Sequence, residues 1–179
     1  VSTQNCAVIQ DGYFLRKGVP DPIDWAIYYA TELRWYVFPL RHNQKFGYRG
    51  CPGENSTNDP DKIRKIWSRD PLAGIGLDCG RSKVFVVDVD CKDGAQGWES
   101  LARLEQEKGP LPRGWRSRTA NGGLHIILPD PHGVCGGTAS MIAPGIDTRG
   151  VGGLIVLPPS IVWLDKDDHA KGLGTYRWL

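Results

Sequence analysis

Residues 84–94 read VFVVDVDCKDG, and this stretch narrows the possible folds more than any other. Val84–Val89 is a β-branched and aromatic run, the composition of a strand buried on both faces. Into that strand the chain places two carboxylates, Asp88 and Asp90. Side chains alternate along a strand, so both point to one face, about 7 Å apart. Two anions that close on a buried sheet repel each other and lose hydration. Either a positive group sits between them or one keeps its proton.

The rest of the chain supplies helices and further strands around this one. Residues 20–35 are predicted as a helix, with Asp21 as N-cap and Pro22 at the first helical position. Ile23, Ala26, Ile27, Ala30 and Leu33 mark its apolar face. WYVFPL follows as a short strand halted by Pro39, and residues 41–56 form a Gly-rich, charged loop. A second Asp-Pro start, Asp59 and Pro60, opens a helix that turns Ile63, Ile66 and Trp67 inward. AGIGLDCG is a strand. Residues 94–109 form a third helix, burying Trp98, Leu101 and Leu104 and closed by Gly109 and Pro110. GGLHIILPD is a strand, and GIDTRGVGGLIVLPPS reads as two strands around a Gly-rich hairpin turn. The final YRW closes a sheet. Helices mixed with hairpins favour an α+β two-layer fold over a doubly wound sheet.

At 179 residues the chain makes one packed domain, with residues 1–19 as an N-terminal extension and 20–179 as the core. Its 22 basic and 20 acidic residues leave a net charge of +2, which neither demands nor excludes nucleic acid. Distribution matters more than the sum: acids gather around residue 90, while Arg113, Arg116 and Arg118 crowd another stretch. Five cysteines without paired spacing, and no secretory leader at the start, are expected to be reduced cytosolic thiols, placing the protein in the cytoplasm. His132 and Cys135 stand three apart, but Cys51 and His42 do not supply a second close pair, so no zinc is expected. No stretch approaches the roughly 20 apolar residues of a membrane span.

Three constellations carry possible chemistry. Asp88 and Asp90 are either strand-end acids paired with Arg, or ligands of a divalent cation such as Mg²⁺, which takes hard oxygen donors. In TANGGLHIIL, Gly122 and Gly123 lack Cβ atoms and let a ligand approach backbone amides, just before His125. That histidine is either a satisfied core residue or a donor to a phosphate oxygen. In PGIDTRGVGG, Asp147 and Arg149 share a face by period two. They form a local ion pair of little worth at a surface, or they complete a two-metal clamp beside a polyphosphate.

Taken in order, WYVFPL, NDPDKIRKIW, AGIGLDCG, VVDVD, NGGLHIIL, GIDTRGVGGLIVLPPS and TYRW resemble the bifunctional DNA primase/polymerase N-terminal (prim-pol) family of the archaeo-eukaryotic primase superfamily. The resemblance covers roughly residues 20–179. It implies an α+β primase-like catalytic core, an RRM-like sheet packed against a second α/β unit. Asp88 and Asp90 match the family's first catalytic motif, and Gly123 and His125 its triphosphate-binding small-x-His motif. Asp147 matches the metal-binding acid of the third motif, with Arg149 in the adjoining D-x-R-G. The family often has Ser where this chain has Asn121. A Lys followed closely by Pro is common after FPL; here Lys45 stands alone. The zinc-bearing insertion of some relatives has no counterpart.

The resemblance therefore implies a template-dependent nucleotidyltransferase of phage or plasmid replication, with two Mg²⁺ or Mn²⁺ ions held by Asp88, Asp90 and Asp147. Gly122, Gly123, His125, Arg149 and Lys45 are the expected nucleotide-binding residues, for dNTPs or NTPs. Single-stranded DNA template is expected along Arg113, Arg116 and Arg118, whereas residues 62–65 are expected to be a solvated helix face. The chain is expected to be the N-terminal part of a longer replication protein, with a helicase domain as a candidate partner. A metal-dependent nuclease or phosphohydrolase, and a non-catalytic nucleic-acid-binding module, remain the alternatives.

Overall fold

The computed structural model describes residues 8–10, 13–15, 21–49 and 51–179. Strands β1 (Val8–Gln10) and β2 (Tyr13–Leu15) pair antiparallel within the N-terminal extension. Helix α1 (Pro22–Thr31) starts where the Asp-Pro signal places it, with Pro22 pre-set for the first turn. It buries Ala26, Tyr29 and Ala30. Strand β3 (Val37–Leu40) then leads through a loop to α2 (Pro60–Trp67). Asp59 caps α2 by accepting hydrogen bonds from the Asp61 and Lys62 amides, and Ile63 and Trp67 face inward. Lys62, Arg64 and Lys65 stay exposed, the solvated face expected of them.

β3 is not halted by Pro39; it continues to Leu40. Val37 exchanges backbone hydrogen bonds with Thr57, away from the next strand, and Pro39 shares that outward orientation by period two. Its missing N–H is therefore not needed by the ladder.

Strand β4 (Gly74–Asp78) is followed by β5 (Val84–Val89), α3 (Gly97–Lys108), β6 (Trp115–Arg118), β7 (Leu124–Pro129), β8 (Thr138–Ala143), β9 (Ile146–Arg149) and β10 (Leu154–Leu157). Strands β11 (Ile161–Trp163) and β12 (Leu173–Thr175) form a two-stranded ribbon, and β13 (Arg177–Trp178) ends the chain. Two larger sheets result: a three-stranded one in the order β10-β4-β3, and a six-stranded one in the order β13-β6-β7-β5-β9-β8. Every pairing is antiparallel, which makes the fold α+β. Among the described residues, no helix is long and apolar enough to cross a membrane.

The predicted hairpin at residues 145–160 does not form. β9 lies in the six-stranded sheet and β10 pairs with β4 in the other, so Gly150–Gly153 is a crossing between sheets. The glycines signalled a sharp change of direction correctly; the partner on the far side is β4.

β5 has core on both faces, as its composition requires. Val84 and Val86 join Ile127 in packing against α1, α2 and the three-stranded sheet. Val87 and Val89 join Leu124, Ile126 and Ile146 beneath Leu101 of α3. Trp98 departs from expectation: it is 36% exposed, its indole N–H donates to the Gly122 carbonyl, and Arg118 stacks on its ring.

α3 begins hard against the end of β5. The Gly97 amide donates to the Asp90 carbonyl, and the Asp90 amide donates to the Gly145 carbonyl. A Cβ on Gly97 would collide with both carbonyl oxygens, which are backbone and cannot rotate away. Gly97→Ala gains at most about 1 kcal/mol of helix propensity. The clash costs about 1–3 kcal/mol and acts on the backbone that holds Asp90. Urea denaturation is expected to show a lower midpoint for Gly97→Ala; an unchanged or higher midpoint would mean that α3 simply shifts outward.

Candidate active site

The strand register gathers side chains that lie far apart in the chain. Asp88 stands directly opposite His125 on β7 and directly opposite Asp147 on β9. His125 in turn is opposite Ser117 on β6, and Ser117 is opposite Trp178 on β13. Directly opposed residues share a face with Cβ atoms about 5 Å apart. Trp178, Ser117, His125, Asp88 and Asp147 thus form one row across five strands. Arg149, two residues past Asp147, lies on the same face and reaches both acids. Its Nη2 is 2.8 Å from Asp147 Oδ2 and 3.6 Å from Asp88 Oδ2.

A cleft of about 520 Å³ opens at Asp88 and His125 of this row, between the two sheets. Asp88, Asp90, His125 and Arg149 line it from the six-stranded side, and residues 154–156 of β10 from the other. Lys45, Lys92 and Tyr176 add two cations and a phenol. Lys45 therefore reaches the site even without a following proline. Lys92, Thr119 and Tyr176 were not singled out as site residues. Lys92 lay inside the quoted Asp stretch, and Tyr176 looked like part of a closing strand.

Burial sets the electrostatics. It pushes the Asp88 carboxyl up to about 6; Arg149 opposes the shift, while Asp147 and Asp90 add to it. Burial also pulls His125 down to about 3, helped by the Lys45 and Arg149 cations and opposed only by the Val156 backbone. His125 is thus neutral at pH 7, only 4% exposed, with Nε2 3.5 Å from Asp88 Oδ1. Its Nδ1 makes no hydrogen bond of normal geometry. Its ring lies 5.7 Å from that of Tyr176. Burial lowers Lys45 as well, with Lys92 reinforcing and Asp90 and Asp88 opposing. Tyr176 is raised by burial, then by Asp88 and Asp90.

The three acids are not equally available. Asp147 has both oxygens engaged, Oδ1 by the Ser140 amide and Oδ2 by Arg149. Asp90 Oδ1 accepts from the Lys92 amide at 2.9 Å. Among the described residues, no three His, Cys, Asp or Glu side chains stand together at ligand spacing. The pair Asp88 and Asp90 does fit a hard divalent cation, which is commonly held by one or two carboxylates plus substrate phosphates. Burial raises the Asp88 pKa, with Asp147 and Asp90 adding to it, so a bound cation would favour its charged form. Asp147 joins such a set only when Arg149 releases it.

Gly122 and Gly123 are placed at the turn before His125, but their amides are already used. Gly122 donates to the Thr119 carbonyl and Gly123 to Thr119 Oγ1. Gly122 has φ +88°, and a Cβ on Gly123 would strike the Val89 carbonyl oxygen. Glycine is needed here for the turn and for the close approach of β7 to β5. The arginine cluster is divided by the pleat. Arg116 and Arg118 are opposite Ile126 and Leu124, on the α3 face of the sheet, and Arg113 is exposed before β6. None of the three lines the cleft.

No curated protein is similar enough to the chain to be matched to it. The family model described as bifunctional DNA primase/polymerase, N-terminal, matches residues 26–179, from the first turns of α1 to the last residue. That span holds both larger sheets and every residue of the row. The chain belongs to the bifunctional DNA primase/polymerase N-terminal family.

Proposed function

We propose that the protein is the catalytic domain of a DNA primase/polymerase, a template-dependent nucleotidyltransferase that joins nucleotides on single-stranded DNA in phage- or plasmid-type replication. The observation that carries this reading is the in-register row His125, Asp88 and Asp147, of which Asp88 and His125 line one cleft with Asp90, Arg149 and Lys45. In this reading the six-stranded sheet with α3 serves as the RRM-like half of a primase-like core. The three-stranded sheet with α1 and α2 serves as the second α/β unit.

In the reaction, a 3′-hydroxyl loses its proton to solvent and its oxygen forms a bond to the α-phosphorus of an incoming nucleotide. The bond from that phosphorus to the β-phosphate breaks, releasing pyrophosphate. Asp88 and Asp90, with Asp147 once Arg149 releases it, would hold Mg²⁺ or Mn²⁺, which when bound would lower the hydroxyl pKa and stabilise the leaving oxygens. The chain's own part is positioning. Lys45, Lys92 and Arg149 surround the place of the triphosphate with positive charge. Neutral His125 has a single N–H to donate, and its burial keeps the imidazole from rotating away. β10 closes the far wall and limits water at the reacting phosphorus.

A labelled primer on single-stranded template, incubated with dNTPs or NTPs and with each metal, tests the proposal. Stepwise primer extension is the expected result. Shortening of the primer without extension would select a nuclease instead, and no change in either strand would select a binding module.

A further inference from the structure

We propose that residues 41–48 form a stacking platform for unpaired bases of single-stranded DNA at the mouth of the cleft. The segment RHNQKFGYR (41–49) holds three cations and a histidine and no acid. It folds back on β3: the Arg41 amide donates to the Phe46 carbonyl, and Leu40 bridges to Gly47. Gly47 is half-buried at that bridge, while Phe46 and Tyr48 on either side of it are exposed. Lys45 lines the cleft, and a Cβ on Gly47 would press on Cys51 and the Phe38 ring. Phe46 and Tyr48 are 47% and 46% exposed, and the Arg41 guanidinium lies 5.6 Å from both ring centroids.

Three flat groups, two of them aromatic, are thus presented to solvent beside the lysine that enters the site. The Tyr48 hydroxyl donates to Asp70 Oδ2 at 3.3 Å, which fixes the ring's edge and leaves its exposed area open to a stacked base. Bases stack on such rings without regard to sequence, and the surrounding cations match a phosphate backbone. Lys45, next to Phe46 in the chain, lines the cleft, whereas Arg116 and Arg118 lie on the α3 face of the six-stranded sheet. A strand stacked here has its next nucleotide at the cleft mouth. The identity of that strand as template rests on the polymerase reading, and the experiment separates the two.

Fluorescence anisotropy of a labelled oligo(dT), without metal or nucleotide, measures the platform directly. Phe46→Ala with Tyr48→Ala is expected to weaken binding by ten- to a hundredfold, with the salt dependence retained because the cations remain. Phe46→Trp with Tyr48→Trp is expected to bind within threefold of the unaltered protein, at the same melting temperature. Oligonucleotide affinity unchanged in the double alanine variant would overturn the platform. So would a raised KM for nucleotide with DNA binding intact, which would assign the rings to the incoming base. If the alanine variant loses DNA binding while even the unaltered protein extends no primer, the platform stands and the polymerase reading falls.

Discussion

Asp88→Ala and Asp90→Ala are each expected to reduce nucleotide incorporation by a factor of about 10³ or more while leaving the fold intact. In the proposed reaction, removing one of the three carboxylates that would hold the cations forfeits several kcal/mol of transition-state stabilisation, and about 1.4 kcal/mol is a factor of ten. Stability moves differently. The Asp88 pKa, displaced by burial from 3.8 to about 6, means that its charged form costs the folded state about 3 kcal/mol at pH 7. Alanine relieves that cost, and Arg149 keeps Asp147 as a partner at 2.8 Å. Asp88→Ala should therefore melt at or above the parent temperature in chelator. Asp90→Ala loses its hydrogen bond from the Lys92 amide, worth about 1 kcal/mol, and should melt slightly lower. Extension near the parent rate by either variant would remove the acid pair from the chemistry.

Acid should expose a hidden compensation between neighbours. His125 titrates near 3 in the folded chain and near 6.5 unfolded, so below pH 6.5 the unfolded chain binds the extra proton. That contribution to stability falls as pH falls. Asp88 is the reverse: its folded pKa of about 6 exceeds the unfolded 3.8. Between those values the folded state binds the extra proton, and stability rises as pH falls. The two slopes, each about 1.4 kcal/mol per pH unit, cancel between roughly pH 4 and 6. Asp88→Asn removes the compensation, and loss of the carboxylate makes a charged His125 still less favourable. Its stability relative to the parent should drop by about 3 kcal/mol from pH 6 to pH 4, a large part of a typical total. His125→Gln should show the opposite slope. Urea titrations of the three proteins across this range, without metal, would refute the pairing if their profiles ran parallel.

Period-two alternation was enough to put Asp88 and Asp90 on one face, and β-branched composition was enough to bury β5. The Asp-Pro starts located α1 and α2 because a cap and a fixed φ are local causes. What could not be read locally was pairing. The placement of His125 and Asp147 on either side of Asp88 depends on which strands flank β5, and only resemblance suggested it. The supposed hairpin failed for the same reason. A Gly-rich turn between two apolar runs looks identical whether the second run returns to the first or leaves for another sheet. The arginines at 113, 116 and 118 looked like one patch because they are close in sequence. Pleating sent Arg116 and Arg118 to the face away from the cleft, and Trp98 followed Arg118 there instead of entering the core.

The crossing from β9 to β10 links mechanics to charge. Arg149 is the last residue of β9 and Leu154 the first of β10, and the Cys79 amide, in the second crossing from β4 to β5 (residues 79–83), donates to the Gly153 carbonyl of this one. Gly80 packs directly on Val151 and Gly152, so the two crossings run side by side. Any change in the angle between the sheets reaches the Arg149 guanidinium within four residues, and that guanidinium holds Asp147 and leans on Asp88. The segment that hinges one sheet to the other therefore starts on the residue that holds the third carboxylate, so hinge and counter-ion share one short stretch of chain.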